Sequence, residues 1–147
     1  MRVEVQNTQA VADALRKYGK DAEREIGRAI DKMGLAVTSD VKRKIQRGPK
    51  TGKIYKRKNK DHQSSRGIND MSEAPATDTG LLVSAGQFYT NKINPMTIEI
   101  GSRSAYAGYL EFGTKKMTKR PAWIPSIEQN RAKFNDWIED ALRKAAR

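Results

Sequence analysis

The sequence predicts an α+β protein built from a long N-terminal amphipathic helix, a small antiparallel sheet, a short helical knuckle and a C-terminal helix. Three observations predict this class. Apolar residues recur every three or four positions over the first third of the chain, a short alternating segment follows at 96–101, and a second helical stripe lies near the C-terminus. At 147 residues, the chain is expected to form a single domain.

The long helix is predicted over residues 8–47, with Asn7 or Thr8 as its N-cap and Gly48 after its last turn. Forty residues at about 1.5 Å each make a rod of about 60 Å. A domain of this size cannot cover such a rod, so part of the helix is expected to pack on another subunit. The alternative is a break near Gly34 that gives two shorter helices on one core.

Residues 48–77 are predicted to form an exposed, flexible and basic insertion, because they are rich in Lys, Gly, Ser and Asn and lack apolar spacing. Residues 41–60 carry ten Lys and Arg and no Asp or Glu, so they supply most of the net charge of +12. The rest of the chain is nearly neutral.

This basic segment has three interpretations. It could contact phosphates without reading sequence, it could bind an acidic protein surface, or it could be a solvated linker with no partner. The candidate residues for contact with DNA or an acidic partner are Lys42, Arg43, Lys44, Arg47, Lys50, Lys53, Tyr55, Lys56, Arg57, Lys58 and Lys60.

The next unit, residues 78–125, is predicted to contain the sheet and the knuckle. Residues 81–91 and 96–101 have the pattern of two strands, and the second is the clearer because every other residue is apolar. Four of the ten aromatic residues of the chain follow within 105–125.

In that aromatic segment, Tyr106 and Leu110 are four residues apart, so one helical turn places them on one face. We expect both to face the core. Phe112, the basic loop 115–120 and Trp123 are expected to contact a neighbouring subunit.

The C-terminal helix is predicted over residues 126–147, where Ser126 and Gln129 have capping-box spacing. Its expected buried stripe consists of Ile127, Phe134, Trp137, Ile138, Ala141 and Leu142.

Composition argues against most catalytic chemistry. With no cysteine and one histidine, the chain offers little for thiol, zinc or imidazole reactions, so no cofactor or metal is expected. Asp78 opens the Asp-Thr-Gly triplet of aspartic proteases, but no apolar strand precedes it to bury a carboxylate pair, and a turn or cap is its simpler role. The absence of a long apolar run predicts a cytoplasmic protein without a membrane span.

Several segments, taken in order, resemble one protein family. They are the long basic helix, residues 74–82, the strand at 98–101, and the segments 106–114 and 120–125 that lead into the last helix. The chain is similar to the head–tail joining proteins of long-tailed bacteriophages and their prophage relatives, also called neck or tail-completion proteins. Many members lack the insertion 48–77, so the resemblance implies no role for it.

This resemblance implies a virion structural or assembly protein, present in the host cytoplasm during assembly, with no enzymatic activity. It implies a homo-oligomer, with a ring expected, that contacts connector, terminator or tail-tube proteins. The residues that match the family's motifs, and are therefore candidates for the protein interface, are Tyr109, Glu111, Phe112, Gly113, Thr114, Arg120, Pro121 and Trp123.

Opposite charge and spacing lead to the hypothesis that Glu111 pairs with Arg120 and fixes the loop between them. Two other function classes stay open at this point. One is a sequence-independent nucleic-acid-binding module that uses residues 42–60, and the other is a metal-free hydrolase that uses Asp78.

Overall fold

The structure, a computed structural model, describes residues 8–66, 73–76, 80–84 and 86–147. Two antiparallel hairpins and two further helices follow the long N-terminal helix, which confirms the α+β class with two small sheets in place of one. The elements are α1 (Thr8–Arg47), β1 (Ile54–Arg57), β2 (Lys60–Gln63), a 3₁₀ turn (Leu81–Val83), β3 (Phe88–Asn94), β4 (Thr97–Ser102), α2 (Ala107–Phe112) and α3 (Trp123–Ala145).

Helix α1 has the predicted bounds and continues through Gly34, so the two-helix alternative is wrong. Two of its glycines, Gly27 and Gly34, serve packing. A Cβ atom added at Gly34 would lie 2.6 Å from Cδ1 of Ile98, and one added at Gly27 would lie 2.9 Å from the carbonyl oxygen of Pro95. The missing side chains therefore let the β3–β4 hairpin lie directly against the helix, which offsets the low helix propensity of glycine.

The hydrophobic core lies where the C-terminal half of α1 meets α3 and the short elements. Its buried residues are Val37, Val41, Ile45, Ala74, Leu82 and Ala122. The three from α1 are four residues apart, as the helical period predicts. Nearer the N-terminus, Leu15 and Tyr18 belong to the same stripe but are 65% and 40% exposed. The described chain thus leaves the first part of the stripe uncovered.

Part of the predicted insertion forms a hairpin, because β1 and β2 pair antiparallel. The connecting residues Lys58 and Asn59 have φ angles of 48° and 59°, as a type I′ turn requires. Sequence reasoning missed these strands because all of β1 and most of β2 are exposed, so no apolar alternation marks them. Residues 67–72 and 77 lie outside the described residues.

The second hairpin pairs β3 with β4 and contains a bulge between Lys92 and Asn94. The strand predicted over residues 81–91 is wrong in its first half. Leu81–Val83 form a 3₁₀ turn that begins after Gly80, and the turn places Leu82 in the core. In this segment the chain buries Leu82 in the core and does not pair as a strand.

Helix α3 begins at Trp123, three residues before the predicted start. Ser126 is fully buried inside the helix, and its hydroxyl donates to the main-chain carbonyl four residues earlier at 2.7 Å. Asn130 is also buried, whereas Ile127 and Leu142 of the predicted stripe are 44% and 37% exposed. The buried face of α3 is therefore more polar than predicted, and Ser126 is not its cap.

Candidate functional site

Glu111, at the end of α2, caps the N-terminus of α3. Its side chain is only 7% exposed. Oε2 accepts the N–H of Ala122 at 2.8 Å and that of Trp123 at 3.1 Å, and Oε1 accepts the N–H of Ile124 at 2.8 Å. The first amides of a helix have no partner within it, and the helix dipole favours a negative charge there. One carboxylate therefore joins the two helices.

The predicted Glu111–Arg120 ion pair is wrong, because the backbone amides of α3 occupy the carboxylate and no ion pair in the described ranges joins the two residues. Arg120 instead uses its main-chain N–H, which donates to the carbonyl oxygen of Leu110 at 2.6 Å. Its Nε atom is buried and has no hydrogen-bond partner in the part of the chain that the structure describes. Opposite charge and sequence spacing suggested that the two side chains meet. They could not show that the backbone amides of α3 compete for the Glu111 carboxylate.

Gly113 turns the chain after α2 with φ 78° and ψ −179°. This region of backbone space is open essentially only to glycine. A Cβ atom there would lie 2.9 Å from both the carbonyl oxygen of Met117 and the amide nitrogen of Lys119. Thr114 then pairs with Met117 in an isolated β-bridge, so the predicted basic loop begins with a tight turn folded against Gly113.

Tyr109 and Phe112 form an exposed aromatic ridge on α2. Tyr109 is 60% exposed and Phe112 is 75% exposed. On the inner side of the same helix, Ala107 and Leu110 pack against the core. Because the inner side chains and the Glu111 cap hold α2 in place, the two outer rings are presented on a fixed support.

The other predicted interface residues lie in different environments. Trp123 is half-buried beside the core, and its ring centre lies 5.3 Å from that of Phe88. Pro121 is half-buried and Thr114 is exposed. Tyr106, which we expected to face the core, is 40% exposed. The exposed part of the predicted interface is thus the aromatic ridge and the turn beside it.

The predicted basic residues divide into two groups, and three of those in α1, Lys42, Arg43 and Lys44, make intramolecular contacts. Arg43 and Lys44 both pair with the buried Asp40, with Lys44 Nζ at 3.3 Å from Asp40 Oδ2. Burial raises the pKa of Asp40, but hydrogen bonds and charge from these cations outweigh it and lower the pKa overall. Lys42 Nζ lies 5.3 Å from the ring centre of Phe88.

Lys50 belongs with this first group, whereas Arg47 at the end of α1 is exposed. The Lys50 ammonium group donates to the carbonyl oxygens of Lys44 at 3.5 Å and Ala74 at 3.4 Å. Burial lowers the pKa of Lys50, although the charge of Glu73 opposes this effect. These contacts tie Lys50 to the fold.

The second group lies on the β1–β2 hairpin and is exposed; it comprises Lys53, Tyr55, Lys56, Arg57, Lys58 and Lys60. Residues opposite each other in the hairpin share a face, which pairs Tyr55 with His62 and Arg57 with Lys60. The rings of Tyr55 and His62 are stacked, with centres 5.7 Å apart. The hairpin thus presents cations beside a fixed aromatic pair.

Glu73 fixes the base of this hairpin. Its carboxylate accepts the N–H of Thr51 at 2.9 Å, the Thr51 hydroxyl at 2.5 Å and the N–H of Arg66 at 2.8 Å. The hydrogen bond from the Thr51 hydroxyl, followed by those from the two amides, lowers the pKa of Glu73 to about 2. One ionised side chain therefore joins both ends of the hairpin.

The sequence profile of one family, described as bacteriophage HK97-gp10, putative tail-component, matches residues 9–113, well over half of the chain. The chain belongs to this family. The predicted resemblance to a tailed-phage family is confirmed, and the protein has a structural role in a phage. Comparison with curated proteins and with solved structures gave no significant match.

The family match ends at Gly113, so it includes the aromatic ridge and Glu111 of this HK97-gp10-like chain but not Arg120 or α3. Asp78, the residue of the hydrolase alternative, lies outside the described residues. Within the described ranges, no cluster of three or more His, Asp or Glu is placed to hold a metal ion. No helix there is both long and apolar enough to cross a membrane.

Sequence reasoning missed Glu73 and the residues that follow β2. They lie in a polar stretch where periodicity carries no signal. A weak clue was available for Glu73, because it is the nearest Glu to a long basic segment.

Proposed function

We propose that this HK97-gp10-like protein acts at the phage head–tail junction, as a neck or tail-completion protein that assembles through protein–protein contacts and catalyses no reaction. The observation that carries the proposal is the aromatic ridge of Tyr109 and Phe112. Large exposed aromatic side chains are typical anchors of protein interfaces. Because Glu111 and the core hold α2 in place, little conformational entropy is lost when the ridge is covered.

The partner of the ridge is proposed to be a connector, terminator or tail-tube protein. In this mechanism Phe112 and Tyr109 insert into pockets of the neighbouring ring, and the turn beside Thr114 contacts its rim. Virion assembly needs strong and specific contacts without chemistry, and rigid aromatic anchors supply them.

The first part of α1 is proposed to pack on a second copy of the chain, within a ring. Helix α1 is about 60 Å long and α3 is about 35 Å long, so α3 cannot cover it. Among the side chains of this part that the structure describes, Leu15 and Tyr18 are large, apolar and exposed. Their burial by a neighbouring α1 would complete the stripe.

The test combines two variants with a matched control. Phe112→Ser and Tyr109→Ser are compared with Ile93→Ser, which removes an apolar side chain of similar exposure, 61%, from the β3–β4 hairpin. Oligomeric mass is measured by light scattering and native mass spectrometry, and junction assembly by complementation of a phage that lacks the gene. The ridge variants are expected to lose assembly by more than tenfold, while Ile93→Ser retains it.

Two results would contradict the proposal. One is a wild-type chain that stays monomeric at every concentration and binds none of the neighbouring virion proteins. The other is normal virion assembly by the ridge variants.

A second candidate function is sequence-independent nucleic-acid binding through the basic segment 42–60. The observation that favours it is the exposed hairpin, where cations lie beside the Tyr55–His62 stack. Neutralising the hairpin cations is expected to abolish salt-sensitive DNA binding. Unchanged affinity in that variant would exclude this function.

A further inference from the structure

Arg120 lies where the base of the β1–β2 hairpin meets α2. It lines two adjoining clefts, one of about 520 Å³ and one of about 270 Å³. The larger cleft is lined by Thr51, Gly52, Lys53, Ser64, Ser65, Arg66 and Arg120. Tyr55 and Tyr106 line the smaller one, together with Arg120, the two serines of the larger cleft and mostly apolar residues.

The larger cleft is suited to an anion. Three of its lining residues, Lys53, Arg66 and Arg120, are cationic, three more carry hydroxyl groups, and none is acidic. Glu73 borders the cleft, where its carboxylate accepts hydrogen bonds from three donors and its charge is offset by that of Arg66, so Lys53 and Arg120 remain as the uncompensated cations. Within the described ranges, no ion pair involves Lys53 or Arg120.

The guanidinium group of Arg120 has an unused donor. Its Nε is buried, and no described residue accepts a hydrogen bond from it. That buried donor is closed off from the cleft, but the side chain of Arg120 lines both clefts, so its guanidinium group can meet an acceptor bound there. Guanidinium groups bind phosphate and carboxylate oxygens through paired N–H donors.

The hairpin extends this cleft outwards along one face. Ser64 follows β2, and Gly52 donates its N–H to the Ser64 carbonyl at 2.8 Å, so the pairing continues past the named strands. Tyr55 and Arg57 alternate with the residues of the opposite face and therefore lie on the same side as Lys53. From residue 53 to residue 57 the strand covers about 13 Å. An extended polyanion fits this row better than a single small ion does.

We propose that the cleft and this hairpin face bind the phosphodiester backbone of DNA, with Arg120 as the phosphate anchor at the inner end. This inference rests on the second candidate function above and adds its binding site. Cations and hydroxyls hold the phosphates, and Tyr55 offers a ring face to an unpaired or distorted base. These proposed contacts are to phosphates and to the face of a base, so binding is expected to be independent of sequence.

The test measures the affinity of the full chain for a short labelled duplex by fluorescence anisotropy over a range of salt concentrations. The variants are Arg120→Gln and Lys53→Gln, and the matched control is Arg131→Gln, which removes one exposed cation from α3. We expect each cleft variant to weaken binding by about three- to tenfold and to reduce the salt slope by about one. The control should change affinity by less than about twofold.

The outcomes distinguish between a wrong binding site and the absence of DNA binding altogether. If the wild type does not bind DNA, both the second candidate function and the cleft are wrong. If it binds and the cleft variants match Arg131→Gln, only the cleft is wrong. Lys53→Gln keeps the test valid if Arg120→Gln unfolds, because Lys53 is exposed.

Two further probes test the chemistry of the ligand. Poly-glutamate of matched charge is expected to compete only weakly with the labelled DNA, and to the same extent in the wild type and in Arg120→Gln. If it competes as well as unlabelled DNA does, and loses that ability in Arg120→Gln, the assignment of the cleft to phosphodiesters is wrong. Inorganic phosphate at matched ionic strength should displace DNA poorly. Full displacement by low phosphate concentrations would instead assign the cleft to a free anion and contradict the proposal.

Discussion

The carboxylate of Glu111 accepts the N–H of Trp123 at 3.1 Å, so a side chain of α2 caps a helix that begins twelve residues later. It also accepts the amides on either side of Trp123. Because Phe112 follows Glu111 directly, the exposed ridge is coupled to the start of α3. A change in the cap should therefore affect both helices.

Replacing Glu111 with Ala should destabilise the fold by about 2–3 kcal/mol, since the variant loses a helix cap and leaves buried amides unpaired. Chemical denaturation followed by circular dichroism measures the change. Glu128→Ala, an exposed acid in the first part of α3, is the control and should shift stability by less than about 0.5 kcal/mol. Equal effects of the two variants would show that the cap is unimportant.

Gly113→Ala should cost about 1–3 kcal/mol, because its backbone conformation disfavours any side chain and a Cβ would contact the 117–119 backbone. Gly108 offers a matched control within α2, where an added Cβ has open space. Gly108→Ala should be neutral or stabilise by up to about 1 kcal/mol. Thermal unfolding compares the two, and a Gly113→Ala variant as stable as Gly108→Ala would contradict the geometry.

The glycines of α1 should also respond differently to alanine. At Gly19 nothing lies within 4 Å of an added Cβ, so Gly19→Ala should stabilise by about 1 kcal/mol through helix propensity alone. At Gly27 the added Cβ meets the Pro95 carbonyl, and the β3–β4 hairpin must shift. Gly27→Ala should therefore not show the increase in the free energy of unfolding expected for Gly19→Ala, as measured by denaturation. A gain equal to that of Gly19→Ala would show that the hairpin does not rest on Gly27.

The hairpin base should depend on pH through Glu73. Its pKa falls from 4.5 to about 2 on folding, so the stabilisation is complete above pH 4.5 and is lost as pH falls towards 2. Amide exchange and NMR shifts of Thr51 and Arg66 measure this. Glu73→Gln should remove the pH dependence in that window. A hairpin that loosens identically in both proteins would point to another group.

Sequence reasoning succeeded where a long pattern and a single physical cause coincide. The period of α1 gave its bounds of 8–47, because one apolar stripe continues over many turns. The apolar alternation at 96–101 located β4, because every second residue of a strand faces the same side. It failed at β1 and β2, where exposed strands show no apolar alternation, and at the start of α3, where Ser126 resembles a cap.

The sequence by itself determined the α+β class, the long helix, the concentration of charge in residues 41–60 and the motif residues of the phage family. Only the tertiary structure decided how the charged side chains are used. Glu111 caps α3 and does not pair with Arg120, Asp40 binds two of the basic residues of α1, and Glu73 joins the hairpin ends. The physical reason is that a carboxylate accepts hydrogen bonds from whichever donors the folded chain brings within reach. Many of those donors belong to segments that are distant in sequence.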